Sequence, residues 1–297
     1  MPPELVDPVP VLSGATVTVV AGKGGVGKTT VTAVLARLAA RSGRRVLVVE
    51  LDGKTVLGSL IGDVPIETIS AGAALDRYLR DHGFGRIASR LSSSGVIDVV
   101  STAAPGIDDI VVLGQIKQFE RSGEWDVILV DGPAAGHAVT FLTSPIGLQR
   151  AVRGGPVREQ ADSVVEMLTD AARCQVMLVT LPETTPVNEL IETAHRLTER
   201  VGVSLGPVVV NALDRSDPPL ADPDDVDLSS LSDREAAVLA AAARFRRERQ
   251  AMHAAALERL SESLALGRLE LPLLSVAALD PATVDELAGD WLGGAPS

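Results

Sequence analysis

The chain alternates between short apolar runs and longer segments in which apolar residues recur every three or four positions. The first pattern is typical of buried strands and the second of helices that cover a core. Strand-like runs occupy seven stretches, which are 16–21, 44–51, 96–101, 125–130, 175–181, 207–211 and 268–274. Strands that alternate with helices form a parallel sheet with helices on its faces. The fold class that the pattern predicts is therefore α/β with a parallel sheet.

Helical spacing covers most of the chain between these strands. We expect helical elements gathered on one side of the sheet, at about 73–91, 106–120, 156–173 and 233–266. Residues 213–232 are rich in Pro and Asp, and we interpret them as a mobile acidic loop. Ser232 and Glu235 have the spacing of a capping box that starts the last of these helices. Residues 1–297 are predicted to form one domain.

Between the first strand and the helix that follows it lies the sequence A-G-K-G-G-V-G-K-T-T, residues 21–30. It contains G-x-x-x-x-G-K-T, with Gly22, Gly27, Lys28 and Thr29 at the defining positions. Glycines let backbone N–H groups turn toward phosphate oxygens, and the helix adds the positive end of its dipole. Lys28 can reach the β- and γ-phosphates, and the Thr29 hydroxyl can ligate Mg²⁺. The stretch predicts a nucleoside triphosphate site that also binds Mg²⁺.

The whole loop is expected to contact the phosphates, mostly through its backbone. The cofactor-binding residues that this spacing predicts are Gly22, Gly24, Gly25, Val26, Gly27, Lys28, Thr29 and Thr30. Lys23 is unusual, because an ordinary phosphate loop needs no second lysine at this position. The spacing alone leaves two interpretations open for Lys23, which are a solvent-facing residue and a phosphate-binding one.

Two aspartates follow predicted strands, at the edge where parallel sheets bind ligands. Asp131 can hydrogen-bond a water molecule on the magnesium ion, and Asp52 can orient or deprotonate the attacking water. The alternative for each is an aspartate that only ends a strand or opens a loop. We assign catalysis to Lys28, Asp52 and Asp131, and the metal to Thr29 and Asp131. Glu50 is expected to point into the sheet and is assigned no role.

The charge balance argues against several classes of partner. The chain of 297 residues carries a net charge of −12, which disfavours a general affinity for nucleic acid or anionic lipid. The arginine-rich run 244–249 is interpreted as a solvated helix face. No apolar run approaches the ~20 residues of a membrane span, and the proline-rich start does not resemble a signal peptide. We expect no nucleic-acid partner, no integral membrane segment and a cytoplasmic location.

Several motifs together resemble one family. Residues 22–29 are similar to the deviant phosphate loop of the dimeric ATPases that include ArsA, MinD, ParA and the nitrogenase iron protein. Residues 131–137, D-G-P-A-A-G-H, resemble the D-x-x-x-x-G-H switch of the arsenite-pump ATPase branch, which includes the chaperones that guide tail-anchored membrane proteins. Residues 208–211 resemble the adenine-binding V-N strand of that branch, and 271–274 its late P-L-L segment. Further segments resemble shorter bacterial members of actinobacterial type, and these are 102–106, 114–117 and 154–156.

This resemblance implies a deviant Walker A, SIMIBI-type fold and a sandwich dimer with two ATP molecules at its interface. Lys23 would then be a cofactor-binding and catalytic residue, because it would contact phosphates bound to the opposite subunit. Asp52 would belong to the first switch and residues 131–137 to the second, and loss of the γ-phosphate would shift the helical region. The adenine contacts implied are Asn211, Pro272 and Leu273. The implied function is an ATP-hydrolysing dimeric switch that acts on a protein client.

The sequence departs from this family at several points. Its single cysteine, Cys174, excludes an intrachain disulfide, an arsenite-binding cysteine triad and a C-x-x-C zinc site. Four methionines are too few to support a wide groove for transmembrane helices, which benefits from adaptable side chains. The segment 52–55 lacks the D-P-A-H pattern of the family's first switch.

Two other functions stay open. One is a ParA- or MinD-like positioning ATPase that binds DNA or membrane, although the net charge argues against it. The other is a nucleotide-binding subunit that is active only beside a paralogous partner. The expected partner at the nucleotide interface is therefore a second copy of the chain or a paralogous ATPase. His137 is interpreted as a hydrogen-bonding residue of the switch rather than as a catalyst or a metal ligand.

Overall fold

The computed structural model describes residues 5–51, 56–81, 106–214, 230–274, 276 and 278–293. The predicted strand 96–101, the predicted catalytic residue Asp52 and most of the predicted acidic loop lie outside the described residues.

Within the described residues, eight strands form one parallel sheet. They are β1 (Val17–Gly22), β2 (Val46–Glu50), β3 (Ile66–Thr68), β4 (Val127–Ala134), β5 (Cys174–Thr180), β6 (Ser204–Leu205), β7 (Val208–Leu213) and β8 (Arg268–Pro272). The strand order is β3-β2-β4-β1-β5-β7-β8, with β6 paired to β5, and every pairing is parallel. The predicted α/β class with a parallel sheet is confirmed.

Helices cover both faces of this sheet. They are α1 (Pro8–Val11), α2 (Lys28–Arg41), α3 (Val56–Ile61), α4 (Ala71–Asp81), α5 (Ile107–Ser122), α6 (Ala135–Ala151), α7 (Pro156–Thr169), α8 (Thr184–Arg200), α9 (Asp233–Ser263) and α10 (Pro281–Gly293). Alternate strand residues enter two separate cores, so that Val176 and Leu178 face one side while Met177 and Val179 face the other. Helices α4 to α9 pack on the first core and α2, α3 and α10 on the second. The described parts of the four predicted helical elements therefore share one side, and residues 82–91 of the first element lie outside the described residues.

Strand β4 runs further than the sequence predicts. Asp131 was expected to end the strand and to open a loop, but β4 continues to Ala134 and α6 begins at the next residue. The extension is possible because residue 132 is glycine. A Cβ atom on Gly132 would lie 2.5 Å from the carbonyl oxygen of Val20 on β1, so a larger residue would push the two strands apart. The chain therefore passes from strand to helix without a connecting loop.

Other element ends also differ from the predictions. Helix α7 ends at Thr169 rather than at 173, because the Asp170 side chain accepts a hydrogen bond from the Ala172 N–H at 2.9 Å and turns the chain. Leu213, predicted as the first residue of the acidic loop, is the last residue of β7. Helix α9 ends three residues early, at Ser263, and β8 ends two residues early, at Pro272. The predicted capping box of Ser232 and Glu235 is confirmed at the start of α9.

Cys174 provides a test of how tightly the central strands pack. Its side chain is fully buried at the start of β5, and burial raises the pKa of the thiol to about 12. Since the thiolate is the reactive form, we expect no modification of the native protein by a thiol-specific disulfide reagent at pH 8. Modification should appear only across the urea unfolding transition. Rapid labelling of the native protein would show that β5 opens to solvent.

Candidate functional site

The predicted phosphate loop connects β1 to α2 at the carboxyl edge of the sheet. β1 ends at Gly22 and α2 starts at Lys28, so residues 23–27 form the loop. Gly25 and Gly27 have φ values of +83° and +88°, a region that side-chain-bearing residues rarely adopt. A Cβ atom on Gly22 would lie 2.4 Å from the carbonyl oxygen of Val179 on β5. The glycines are thus required by backbone shape and by close packing.

A cavity of about 260 Å³ lies against this loop. It is bounded by the loop, by the start of α2 and by the ends of β2 and β4. The lining residues are Gly25, Gly27, Lys28, Thr29, Glu50, Leu51, Asp131 and Gly132. The cavity occupies the edge where parallel sheets bind ligands. It brings together three of the residues predicted to act on the nucleotide, which are Lys28, Thr29 and Asp131.

Asp131 is fixed by two hydroxyl groups of α2. The Thr29 Oγ1 hydroxyl donates a hydrogen bond to Asp131 Oδ2 at 2.9 Å, and the Thr32 Oγ1 hydroxyl donates to Oδ1 at 3.3 Å. Thr32 is fully buried, so this contact ties β4 to the buried side of the helix. Hydroxyl and carboxylate oxygens are ligand types that suit Mg²⁺. The predicted metal pair, Thr29 and Asp131, is therefore in direct contact.

The remaining residues of the loop contribute in different ways. The Lys28 ammonium donates to the carbonyl oxygen of Lys23 at 3.3 Å and lies beside the cavity. Val26 is buried and its carbonyl oxygen accepts a hydrogen bond from Asn211, so a contact of this residue with phosphate stays a prediction. Thr30 lies in the first turn of α2, where backbone N–H groups have no partner within the helix. Gly24 lies in the loop but does not line the cavity.

Asn211 supports the loop from the neighbouring strand. Its Nδ2 amide donates to the carbonyl oxygen of Val26 at 2.9 Å, and a Cβ atom on Gly27 would lie 2.1 Å from that nitrogen. The next residue, Ala212, has a φ of +55° where the β7–β8 register shifts, so the backbone is locally strained. This irregularity lies beside the residue whose amide meets the phosphate loop. Adenine binding by Asn211 stays a prediction.

Pro272 and Leu273 lie at the end of β8, which is three strands along the sheet from β1 and the phosphate loop. The Leu273 N–H donates to the carbonyl oxygen of Leu213 at 2.9 Å. Leu273 lines a second cavity, of about 330 Å³, together with Asp214, Phe245, Arg246 and Arg249. The guanidinium of Arg246 holds the Asp214 carboxylate with two hydrogen bonds of 2.5 and 2.8 Å, and it lowers the pKa of that carboxyl group. Sequence reasoning missed this ion pair because its members are 32 positions apart.

Lys23 points away from the cavity of its own chain. Its ammonium forms an ion pair of 2.6 Å with Glu189 on α8, and it is not among the lining residues. The two side chains are 37% and 42% exposed, so water reaches the pair. Sequence reasoning did not identify Glu189, since no local signal marks a residue 166 positions from its partner. Neither interpretation of Lys23 anticipated this contact.

Glu50, which the sequence predicts to point into the sheet and to which no role is assigned, is a lining residue of the phosphate cavity. It is the last residue of β2 and is 6% exposed. It stands in register with Asp131 on β4, and both residues line the cavity. The alternation of side chains along β2 could have identified it, because Glu50 is two residues beyond Val48 of the core beside α2.

His137 occupies the first turn of α6 and not a loop. It lines a cavity of about 280 Å³ on the helical face, with Asp108, Asp109 and Pro133 among its neighbours. Leu51 lines both this cavity and the phosphate cavity. The end of β4 therefore lies between the phosphate site and the start of helix α5.

The site consists of a glycine-rich loop between a parallel strand and a helix. The first turn of that helix carries a threonine that is hydrogen-bonded to a carboxylate of the neighbouring strand. This arrangement defines a P-loop nucleotide-binding protein. The family model of the CobQ/CobB/MinD/ParA nucleotide binding domain matches residues 17–265, and the chain belongs to this family. Within the described residues, no helix is both long enough and apolar enough to cross a membrane.

Named relatives agree with this assignment. The ATPase BagA of Mycobacterium tuberculosis is 31% identical over 226 residues, which cover 67% of this chain and 66% of that protein. The arsenical pump-driving ATPase of Escherichia coli is 28% identical over 192 residues, which cover 61% of this chain and 32% of that protein. A putative arsenical pump-driving ATPase of Halobacterium salinarum is 25% identical over 223 residues, covering 65% and 34%. The chain thus spans slightly less than two thirds of the first relative and about a third of the others. The resemblance to the arsenite-pump ATPases is confirmed.

Substitution of Asn211 tests its support of the phosphate loop. Replacing Asn211 by Ala removes the hydrogen bond to the Val26 carbonyl group, and we expect the free energy of unfolding of the nucleotide-free protein to fall by about 1 kcal/mol. Urea denaturation monitored by circular dichroism measures the change. An unchanged midpoint would indicate that the amide does not stabilise the loop and is available to a nucleotide.

Proposed function

We propose that the protein is a Mg²⁺-dependent ATPase that works as a dimeric switch and acts on a protein client. The observation that carries this proposal is that the Lys23 side chain points away from the phosphate cavity of its own chain. A second loop lysine that served its own nucleotide would line its own cavity, but Lys23 is paired with Glu189 outside it. A lysine on the rim of the site can instead reach the phosphates of a nucleotide bound to a facing subunit. The family resemblance supports the same arrangement.

The described residues fit a magnesium-bound triphosphate. Thr29 and Asp131 would hold the ion, and Lys28 would neutralise the β- and γ-phosphates. When bound, the ion neutralises charge that develops on the phosphate oxygens during transfer. The backbone N–H groups around Gly25 and Gly27 bind the phosphates and orient them. Asp52, which lies outside the described residues, keeps its proposed role in activating water.

Strand β4 supplies a route from the nucleotide to the helical face. Asp131 and Gly132 line the phosphate cavity, and Pro133 and His137 line the next cavity against α5. Loss of the γ-phosphate would change the contacts of Asp131 and so bias the position of α6. The output of the cycle is a change of shape on this face, where a client or partner protein would bind. The partner at the nucleotide interface is a second copy of the chain or a paralogous ATPase.

Mixing two inactive variants tests the dimeric site. Lys23→Ala removes the residue donated to the neighbour, and Asp131→Asn impairs the site of the chain that carries it. Each variant should be inactive alone, whereas a mixed dimer contains one complete site. Random pairing should restore roughly a quarter of the wild-type turnover. Phosphate release at equal total protein concentration measures it.

The outcomes of the mixing experiment separate the parts of the proposal. An active wild type with no recovery on mixing would falsify the donation of Lys23 across the interface. Turnover by Lys23→Ala alone would show that the residue is dispensable. A wild type that binds ATP but turns over only after addition of a paralogous ATPase would replace the homodimer with a heterodimer.

Glu189 is expected to restrain Lys23. Replacing Glu189 by Gln removes the charge that holds the lysine, and turnover at limiting protein concentration should rise. Because the pair is partly exposed, the gain should be less than about fivefold. Glu192→Gln is the matched control, since Glu192 lies on the same helix and pairs with Arg196 instead. A fall in turnover of Glu189→Gln would mean that Glu189 assists Lys23 rather than restraining it.

A further inference from the structure

Most of helix α9 is not buried against the rest of the described structure. The helix spans Asp233–Ser263, yet its buried residues, His253, Ala256 and Leu260, all lie in its last third. Residues 233–252, which extend over about 30 Å at the rise of an α-helix, contain no buried residue. The amino-terminal two thirds of α9 therefore offer a continuous surface along one helix.

Large apolar side chains line one face of this surface. Val238, Phe245 and Met252 are 62%, 67% and 62% exposed. They recur every seven residues, or about two turns, and therefore lie on the same face of α9, where we call them the α9 stripe. Ala256, about five turns after Val238, lies on this face too, and it is buried in the core. The α9 stripe is thus the exposed continuation of a face that packs on the body of the protein.

The exposed part of α9 has its own sources of helical stability. The capping box of Ser232 and Glu235 satisfies N–H groups at the start of the helix. Six of the residues 236–243 are alanine, which has the highest helix propensity. A partner that binds the α9 stripe would therefore meet a preformed helix, and this side of the contact would lose little conformational entropy on binding.

Charge on the same segment indicates the chemistry of the partner. Residues 244–249, R-F-R-R-E-R, contain four arginines and one glutamate, whereas the whole chain carries a net charge of −12. Arg246 is already paired with the Asp214 carboxylate. In the seven-residue repeat that the α9 stripe defines, Arg244 and Arg249 flank Phe245 at the positions where charge selects the partner of a helix. Two copies of this surface would bring arginines together, so the charge favours an acidic partner over a second copy.

We infer that the α9 stripe and its flanking arginines form a docking surface for an acidic amphipathic helix of another protein. Apolar residues of that helix would cover Val238, Phe245 and Met252, and its carboxylates would pair with Arg244 and Arg249. A nucleic acid offers phosphates but no apolar face, and an anionic lipid surface is repelled by the net charge of the chain. The inference goes beyond the proposed ATPase cycle and does not depend on it.

Designed peptides test the docking surface. The probe is a fluorescently labelled peptide of heptad repeats with Leu at positions a and d and Glu at e and g, which repels its own copies. A matched peptide carries Lys in place of Glu. We expect the full chain without nucleotide to bind the acidic peptide, with an affinity that falls as salt is added, and not to bind the basic peptide. Fluorescence anisotropy measures both affinities.

Variants of α9 locate the binding. Phe245→Ala should raise the dissociation constant of the acidic peptide about tenfold, because a central aromatic residue carries much of the free energy of such a contact. Because Phe245 is exposed, the urea midpoint of this variant should match that of wild type. Replacing Arg244 and Arg249 together by Gln should weaken binding and reduce its salt dependence, which also tests the inference if Phe245→Ala fails to fold. Val56→Ala is the matched control, since Val56 is an exposed apolar residue on α3, and it should leave the affinity unchanged.

Several results would overturn the inference. One is a wild type that does not bind the acidic peptide, and another is equal binding of the acidic and basic peptides. Binding that Phe245→Ala and the double arginine variant both leave unchanged would place the contact elsewhere. Self-association of wild type that Phe245→Ala abolishes, measured by analytical ultracentrifugation, would assign the α9 stripe to a second copy. Binding of duplex DNA or phosphatidylserine vesicles, lost in the double arginine variant and without binding of the peptide, would assign it to those partners instead. All these measurements are made without nucleotide, so they leave the proposed ATPase function untouched.

Discussion

The contact between Asp131 and the two threonine hydroxyls of α2 fixes the geometry of the whole site. It joins Asp131, within the central strand β4, to the first turns of α2, the helix that follows the phosphate loop. Through that contact the loop, the ends of β2 and β4 and the start of α2 surround a single cavity. Because Thr32 is buried, the contact belongs to the core and to the site together. A displaced carboxylate would therefore disturb packing as well as ligand binding.

Local patterns made much of this arrangement predictable. Apolar runs identified six of the eight described strands, which was enough to infer the parallel sheet, but they missed the short strands β3 and β6. Glycine spacing identified the phosphate loop between β1 and α2. Of the residues on predicted strand ends, Asn211 contacts the loop and Asp131 contacts the first turns of α2 beside it. What the sequence could not supply is contact between distant segments. Glu189 and the pair of Asp214 with Arg246 depend on helices that approach only after folding. The continuation of β4 depends on close packing at Gly132, which spacing does not reveal.

The weakness of the Lys23–Glu189 pair is compatible with the proposed transfer of Lys23 to the nucleotide of a facing subunit. A buried ion pair would resist separation, because each charge would lose its only compensation. Here both groups remain in contact with water, so the lysine can leave at little cost. The Asp131 contact is the opposite case, since one of its donors is fully buried. The site thus combines a stable contact at Asp131 with an ion pair at Lys23 that separates easily. In the proposed dimer, nucleotide binding would depend on the first contact and subunit assembly on the second.

The direct passage from β4 to α6 also sets how motion can spread. A loop would absorb a small displacement of Asp131 by rearranging its own dihedral angles, and its reordering would add a slow step. No connecting loop is present between Ala134 and Ala135, because β4 ends at the first of these residues and α6 begins at the second. We therefore expect the junction to transmit a displacement of Asp131 to α6 rather than to absorb it. A displacement of Asp131 would move the first turn of α6 as a unit. The rate of that movement would be set by binding and release of the ligand rather than by rearrangement of a loop.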